Sequence, residues 1–300
     1  MSKKIGFIGQ GWIGKNYADN FERRGFLVTR YAMEEPYIKN GDNIKDCDIV
    51  FIAVPTPTTL QGFDDRIVRE AVKLVGQGKT AVIKSTVLPG TTESIQKENS
   101  DIYVLFSPEF LVQASAAYDA ANPNRNIVGI SIDNDEYREK AKKVLEILPQ
   151  APYQLICSAR EAELIKYGGN NWLYFKVVFI NMLYDLAEKM GCHWTTVRDA
   201  LAADPRIGRS HLDPVHQGGR GAGGKCFIKD FAAFAQIYDE IVGDESGKKV
   251  LQSITDKNID LLLSTNKDSE LLAGVYGEQV LARRAPQKIK KRKTRCLKKI

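Results

Sequence analysis

Cys226 lies between a glycine turn and a paired cation and carboxylate, within the segment Gly221-Ala222-Gly223-Gly224-Lys225-Cys226-Phe227-Ile228-Lys229-Asp230. A cysteine attacks as its thiolate. A glycine turn that opens a helix supplies backbone N–H groups and the positive end of the helix dipole, both of which lower the pKa of a thiol. On such a helix Lys229 and Asp230 lie about one turn from Cys226. The segment therefore predicts a nucleophilic cysteine, and the alternative is a buried cysteine that only packs beside the turn.

A second glycine motif occurs near the start of the chain. Gly9-Gln10-Gly11-Trp12-Ile13-Gly14 follows an apolar run typical of a strand and precedes a helical pattern. In that context the glycines permit a tight turn, close approach of the backbone to a diphosphate, and close helix–strand packing. The motif predicts a dinucleotide site, with Gly9, Gly11, Trp12, Ile13 and Gly14 as cofactor-binding residues.

The residue that would bind the adenosine ribose is not at its usual place. An Asp or Glu is expected about 20 residues beyond the glycines, at the end of the second strand. Here the strand Leu27–Tyr31 is followed by Ala32, and the first acidic residue is Glu34. Arg30 is a candidate for binding the 2′-phosphate of NADP. NAD is the predicted cofactor, and NADP stays open.

Two later segments are also expected at the cofactor crevice, because ligands of parallel α/β sheets bind at the carboxyl ends of the strands. They are Val54-Pro55-Thr56-Pro57 and Ser85-Thr86-Val87-Leu88-Pro89-Gly90-Thr91-Thr92. Pro55, Thr56 and Thr86 are the predicted cofactor contacts in these segments.

The composition is that of a globular protein of about two domains, with 300 residues of which 43% are hydrophobic. The five cysteines are odd in number and include no Cys-x-x-Cys pair, so neither a disulfide framework nor a metal site is expected. No signal segment precedes the first strand pattern, and no apolar run reaches the roughly 18 residues of a membrane span. We therefore expect a protein of the reducing cytoplasm that does not cross a membrane.

Basic residues are concentrated at the C-terminal end of the sequence. The net charge is +6, and residues 283–300 contain ten Lys or Arg and no acidic residue. Such a tail is a candidate for contacting an anionic surface, and the alternative is a solvated, disordered terminus. We assign the tail no function and expect no nucleic-acid partner.

Short apolar strands alternate with helical stretches over residues 4–132, which predicts a parallel sheet covered by helices. The predicted strands are Ile5–Ile8, Leu27–Tyr31, Ile49–Val54, Ala81–Ser85, Val104–Phe106, Ile127–Ile132 and Gln154–Cys157. Residues 159–203 carry instead an almost uninterrupted helical pattern. The prediction is an α/β fold. A Rossmann-like dinucleotide-binding domain covers 1–158, a mainly α-helical domain with a long central helix that makes a homodimer covers 159–264, and a C-terminal stub covers 265–300.

Taken together, these motifs resemble the UDP-glucose/GDP-mannose dehydrogenase family. The further matching segments are Ser107-Pro108-Glu109-Phe110-Leu111, the residues Glu163, Lys166 and Asn170, and Asp204-Pro205-Arg206-Ile207-Gly208. Enzymes of this family oxidise the C6 primary alcohol of a nucleotide sugar to a carboxylate, using two NAD molecules and a covalent cysteine intermediate. The resemblance implies the same activity, cofactor and substrate class for this chain, and a role in polysaccharide biosynthesis.

The resemblance also implies roles for particular residues. Cys226 would add to the first-formed aldehyde as a thiohemiacetal, which a second oxidation turns into a thioester. Lys166 and Asn170, four apart on one helical face, would stabilise the oxyanion that develops at each stage. The other implied roles are those of Asp230 as base or water-orienting group, Thr86 and Glu109 in positioning a water or proton carrier, and Lys229 in binding or orienting the cofactor.

The chain departs from the family pattern after the cysteine motif. In the family a second Rossmann-like domain follows and holds much of the nucleotide part of the substrate, whereas 70 residues follow Asp230 here. We expect that domain to be missing and the substrate cradle to be altered. Two alternatives therefore stay open: a single-step β-hydroxyacid or sugar-phosphate dehydrogenase, and a non-catalytic NAD-binding interaction protein.

Overall fold

The structure is a computed structural model that describes residues 3–282. The basic tail, for which disorder is predicted, lies outside the described residues. The chain forms two compact units. Of the described residues, the first contains 3–57 and 63–169, and the second contains Thr58–Gly62 together with residues 170–282.

Most strands belong to the first unit. In chain order they are β1 (Lys4–Ile8), β2 (Leu27–Tyr31), β3 (Ile49–Ile52), the short pair β4 (Thr58–Thr59) and β5 (Gly62–Phe63), then β6 (Thr80–Ile83), β7 (Tyr103–Phe106), β8 (Arg125–Ile130) and β9 (Tyr153–Ser158). Apart from β4 and β5, they form one sheet in the order β2-β1-β3-β6-β7-β8-β9. The helices between them are α1 (Trp12–Arg23), α2 (Arg66–Val72), α3 (Thr91–Glu98), α4 (Ala116–Ala121) and α5 (Asp135–Ile147), with 3-10 turns at Ile38–Asp46 and Gln113–Ser115.

Both faces of this sheet are covered. On β3, Val50 and Ile52 pack into one apolar cluster while Ile49 and Phe51 pack into another. Successive side chains of a strand point to opposite faces, so a strand that is apolar at every position is buried on both sides. The Rossmann-like α/β fold class predicted from the alternating pattern is confirmed.

Two strands run opposite to the rest of the sheet, which was predicted to be parallel. β8 pairs with β7 antiparallel, with Phe106 opposite Gly129, and β9 is parallel to β8. The chain between β7 and β8 makes a 3-10 turn and the short α4, and it returns from the edge where β7 ends without crossing the sheet. A parallel neighbour would have required such a crossover.

The second unit is mainly helical. Its helices are α6 (Ala159–Met190), whose first turns belong to the first unit, α7 (Trp194–Ala202), α8 (Gly224–Val242), α9 (Glu245–Ser264) and α10 (Ser269–Tyr276), with the hairpin β10 (Val215–His216) and β11 (Gly219–Arg220) and a 3-10 turn at Glu278–Ala282. The predicted long helix ends where Gly191 has a φ of +73°, in the left-handed region that favours glycine. α10 has no counterpart in the sequence prediction.

The core of the second unit fixes α8. The rings of Tyr174 and Phe231 stack with centroids 3.9 Å apart, and Ile228 packs with Ile259 and Leu272. The β4–β5 hairpin contributes Thr59 and Leu60 to a cavity that α8 and α9 also border. Among residues 3–282, no helix combines the length and the apolar character needed to cross a membrane.

Candidate active site

The loop after β1 is shaped by its glycines. Gly9 has a φ of +89°, and a Cβ added to it would lie 2.2 Å from the carbonyl oxygen of Ala53. A Cβ on Gly14 would lie 1.9 Å from the carbonyl oxygen of Gly9, whereas one on Gly11 would meet nothing within 4 Å. α1 starts directly after Gly11 with no side-chain cap and no acidic residue in its first turn. Its free N–H groups fit the diphosphate of a dinucleotide.

The two proline- and threonine-containing segments meet at the same edge of the sheet. β3 and β6 are parallel neighbours, so the loops that follow them are adjacent. The hydroxyl of Ser85 accepts from the Val54 amide at 2.9 Å and donates to the Val54 carbonyl at 2.7 Å. Thr56 donates to the carbonyl of Thr86 at 2.8 Å. Both loops are thus held together beside the glycine turn, with Pro55 exposed.

Arg30 contacts carboxylates of α1. Its guanidinium donates to Asp19 at 2.7 Å and to Glu22 at 2.6 Å, and it lies 3.4 Å from the side-chain oxygen of Gln10 in the glycine loop. Only 10% of the Arg30 side chain is exposed. The guanidinium considered for the 2′-phosphate of NADP is therefore already paired, and Ala32 supplies no ribose-binding acid.

A buried ion pair joins two of the predicted catalytic residues in the first unit. Lys166 on α6 donates from Nζ to the carbonyl oxygen of Glu109 at 2.6 Å and to Glu109 Oε1 at 3.2 Å. Both side chains are less than a tenth exposed. The other carboxylate oxygen of Glu109 accepts from the Leu111 amide at 2.8 Å. Burial without such partners would cost several kcal/mol, so each group holds the other in place.

Lys84 was not predicted as a site residue, although it directly follows the buried strand β6. Its Nζ donates to the carbonyl oxygen of Ser107 at 3.1 Å and to its hydroxyl at 3.3 Å, and it lies 4.4 Å from the ring centroid of Tyr17. Burial lowers the pKa of Lys84 to about 7; the charge of Glu109 opposes this shift and that of Lys166 adds to it. The sequence signal is a lysine that directly follows an apolar strand.

Glu163 holds the segment that leads into α3. Its carboxylate accepts from the Gly90 amide at 2.6 Å, the Thr92 amide at 2.9 Å and the Thr92 hydroxyl at 2.6 Å. Burial raises the pKa of Glu163 to about 7, against the lowering effect of those hydrogen bonds. A carboxylate from α6 therefore supplies the cap for a helix whose own N-terminal residue, Gly90, has no side chain.

The second unit contains the cysteine and the charged pair that follows it. Cys226 is the third residue of α8 and is half-buried. Lys229 Nζ lies 2.5 Å from Asp230 Oδ1, and Asn170 Nδ2 donates to Asp230 Oδ2 at 2.7 Å. The Asp230 side chain is only 1% exposed. The predicted placement of Lys229 and Asp230 one turn beyond Cys226 on a helix is what the structure has.

The predicted site residues thus make two sets of contacts, one in each unit. Lys166 contacts Glu109 in the first unit, and Asn170 contacts Asp230 in the second. Lys166 and Asn170 were predicted to stabilise one oxyanion together, but each of them hydrogen-bonds to a different carboxylate. Within residues 3–282, no group of three or more His, Cys, Asp or Glu residues is arranged to hold a metal ion.

Two models of the UDP-glucose/GDP-mannose dehydrogenase family match the chain, the NAD binding domain over residues 37–148 and the central domain over residues 160–258. UDP-glucose 6-dehydrogenase TuaD of Bacillus subtilis (strain 168) is 35% identical over 281 residues, covering 78% of this chain and 59% of that protein. UDP-glucose 6-dehydrogenase of Rickettsia prowazekii (strain Madrid E) is 32% identical over 260 residues, covering 82% and 58%. The chain spans 53–59% of the length of such relatives.

Solved structures are similar over most of this chain. A UDP-glucose dehydrogenase from the hyperthermophilic archaeon Pyrobaculum islandicum aligns with a TM-score of 0.73 and 27% identity, covering 92% of this chain and 72% of that one. The 3-hydroxyisobutyrate dehydrogenase of Mycobacterium tuberculosis aligns with a TM-score of 0.68 and 17% identity, covering 92% and 99%. At that identity the second likeness concerns the fold alone.

Proposed function

The chain belongs to the UDP-glucose/GDP-mannose dehydrogenase family, and on this premise we propose that it is an NAD-dependent oxidoreductase that converts a primary alcohol of a nucleotide sugar to the carboxylate. The conversion removes four electrons, so two NAD molecules are reduced for each product. When bound, NAD would be the hydride acceptor in both oxidations. The glycine loop and the uncapped start of α1 would hold its diphosphate.

Cys226 is proposed as the nucleophile between the two oxidations. Its sulfur adds to the carbonyl carbon of the aldehyde, and the carbonyl oxygen takes a proton to give a thiohemiacetal. Loss of a hydride from that carbon and a proton from its hydroxyl leaves a thioester. Water then attacks the thioester, the C–S bond breaks, and the carboxylate leaves while the thiol is restored. The covalent bond keeps the aldehyde on the protein.

The observation that carries this proposal is the environment of Asp230. The carboxylate is buried one turn from Cys226, and both of its oxygens have partners, Lys229 on one and Asn170 on the other. Such partners fix a carboxylate in one orientation, as proton transfer to or from a bound group requires. We assign Asp230 to taking the proton of the attacking water and Asn170 to orienting Asp230. Lys229 keeps its predicted role at the cofactor.

Lys166 and Glu109 are proposed to act at the substrate oxygen. An ammonium has three N–H donors, and Glu109 accepts two of those of Lys166. The third can donate to the oxygen that becomes negative at each addition step. Glu109 and Thr86 are proposed to position the water that attacks the thioester.

The test is NADH formation with NAD and a panel of UDP- and GDP-sugars, read by absorbance. We expect two NADH per product and loss of turnover in Cys226→Ser. Cys192→Ser, which changes an exposed cysteine, is the matched control and should keep full turnover. Reduction of NAD by the Cys226→Ser variant at the native rate would contradict the proposed role of the thiol.

A second candidate is a single-step dehydrogenase of a β-hydroxyacid. The observation in its favour is the likeness of fold to the 3-hydroxyisobutyrate dehydrogenase. It predicts one NADH per product and full activity in Cys226→Ser, so the same assay separates the two candidates.

We further propose that the protein acts as a homodimer in the reducing cytoplasm, where a cysteine nucleophile stays a thiol. One face of α6 carries the exposed apolar residues Trp172, Phe179, Met182, Leu186 and Met190. At 100° per residue they form a single stripe, which a second copy of the same helix would cover. Sedimentation equilibrium should give a dimer, and Phe179→Glu should give a monomer. A native monomer would refute this assignment.

A further inference from the structure

The backbone that leads to Cys226 is held by a side chain of α9. Asn258 accepts from the Ala222 amide at 2.7 Å through Oδ1 and donates to the Ala222 carbonyl at 2.9 Å through Nδ2. Its side chain is buried, with 1% of the residue exposed. A single side-chain amide thus satisfies both backbone polar groups of one residue in the glycine turn, as buried backbone groups require.

The turn after α9 adds two charged contacts to the same segment. Lys267 donates from Nζ to the carbonyl oxygen of Gly221 at 3.2 Å, and Asp268 accepts from the amide of Gly224 at 2.7 Å. Gly224 is the first residue of α8. The glycine turn was predicted to offer free N–H groups beside Cys226, and one of them is occupied by this carboxylate.

The glycines are required by these contacts. A Cβ on Gly223 would lie 2.1 Å from Asp268 Oδ2 and 2.9 Å from Lys267 Cε, and one on Gly221 would lie 3.0 Å from Asn258 Oδ1. The small residues therefore let the turn lie directly against the three side chains.

We propose that Asn258, Lys267 and Asp268 are positioning residues that fix the path of the Gly221–Gly224 turn and set the charge around the Cys226 thiol. This inference rests on the proposed function only in taking Cys226 as the nucleophile. Asn258 provides the fixed geometry. Lys267 and Asp268 act on the thiolate in opposite senses, since a cation near the start of α8 favours it and a carboxylate at the same helix end disfavours it.

Among the described residues, Lys225, Lys229 and Asp230 are the charged side chains on the first two turns of α8. The ring of His211 lies 5.8 Å from that of Phe227; burial lowers the pKa of His211, and the charge of Lys176 adds to that shift. Burial lowers the pKa of Lys267, and the charge of Asp268 opposes that shift. Asp268 therefore favours the charged form of Lys267 beside the turn.

The test is the rate of alkylation of Cys226 by iodoacetamide as a function of pH, followed on the Cys226 peptide by mass spectrometry. Asp268→Asn keeps the hydrogen bond to Gly224 and removes a negative charge, so the thiol should titrate at lower pH by on the order of half a unit. Lys267→Met should shift the profile to higher pH by a similar amount. A merely structural role would not move the two profiles in opposite directions.

Asp244→Asn is the matched control, because Asp244 caps α9 through the Ser246 and Gly247 amides and should leave the profile unchanged. Asn258→Ala should slow alkylation at every pH. The conservative variant Asn258→Gln keeps a side-chain amide and should be slowed less. Coincident profiles for Asp268→Asn, Lys267→Met and the native chain would overturn the inference. Alkylation needs no substrate or cofactor, so opposite shifts in a protein that reduces no NAD would refute the proposed function and leave this inference standing.

Discussion

Replacing Lys84 by methionine should make the stability of the protein less dependent on pH. Lys84 is buried, and its pKa is lowered from 10.5 to about 7 in the folded chain by desolvation. The unfolded chain therefore binds a proton more tightly than the folded chain does. Folding releases that proton, so the contribution of Lys84 to stability rises with pH between about 7 and 10.5.

The size of the effect follows from the two pKa values. Below about pH 7 the difference corresponds to a penalty of about 5 kcal/mol, and about 2 kcal/mol of it remains near pH 9. Between about pH 6 and pH 9, the native protein should gain about 2–3 kcal/mol relative to Lys84→Met. The hydrogen bonds to Ser107 that the variant loses add an offset that is the same at both pH values, so the slope alone tests the reasoning.

The assay is urea unfolding of both proteins at the two pH values. Lys73→Met is the control, because the Lys73 side chain is 59% exposed and its ammonium stays hydrated in the folded protein. Its unfolding free energy should differ from the native value equally at both pH values. Parallel pH curves for the native protein and Lys84→Met would show that burial of the Lys84 ammonium has no cost in stability, contrary to this prediction.

Three further outcomes are expected. The pKa of Glu163 is about 7 in the folded chain against an ordinary value of 4.5. Its contribution to stability is therefore fully present below pH 4.5 and is lost as the pH rises through 7. Thermal unfolding should show the native protein losing about 3 kcal/mol of stability relative to Glu163→Gln over this pH range. Asp230→Asn should lower kcat by about 10²–10⁴-fold while NAD binding by calorimetry stays constant, and an undiminished kcat would exclude Asp230 as the base. NAD should be preferred to NADP. The double variant Asp19→Asn with Glu22→Gln should release Arg30 from its two ion pairs and lower KM for NADP by about tenfold. An unchanged KM would mean that Arg30 does not reach the ribose phosphate.

Backbone patterns made most of the fold predictable. The strand Leu27–Tyr31 was placed at its observed bounds, and the glycine spacing located the turn before α1, because both depend on contacts close in sequence. The direction of β8 was not predictable from its own residues. It depends on whether the chain between β7 and β8 crosses the sheet, and strand residues do not encode that choice.

The side chains that support the site were harder to predict. Cys226, Lys229 and Asp230 stand in one segment, so their spacing indicated chemistry. Asn258 and Lys84 each acquire their roles from residues 36 and 23 positions away. For both residues the sequence signal was a polar residue within an apolar pattern. Such a signal does not indicate which residue will be its hydrogen-bond partner.

The path of the chain through the two units has a consequence for how the protein is made. Residues 58–62 belong to the second unit, although they are flanked on both sides by the first. Leu60 shares its cavity with Ala232, about 170 residues later in synthesis. At ribosomal rates of about 5–20 residues per second, the hairpin waits on the order of ten seconds or more for α8 and α9 to emerge. A polypeptide stopped at residue 169 would leave these five residues without the helices that they border in the complete fold.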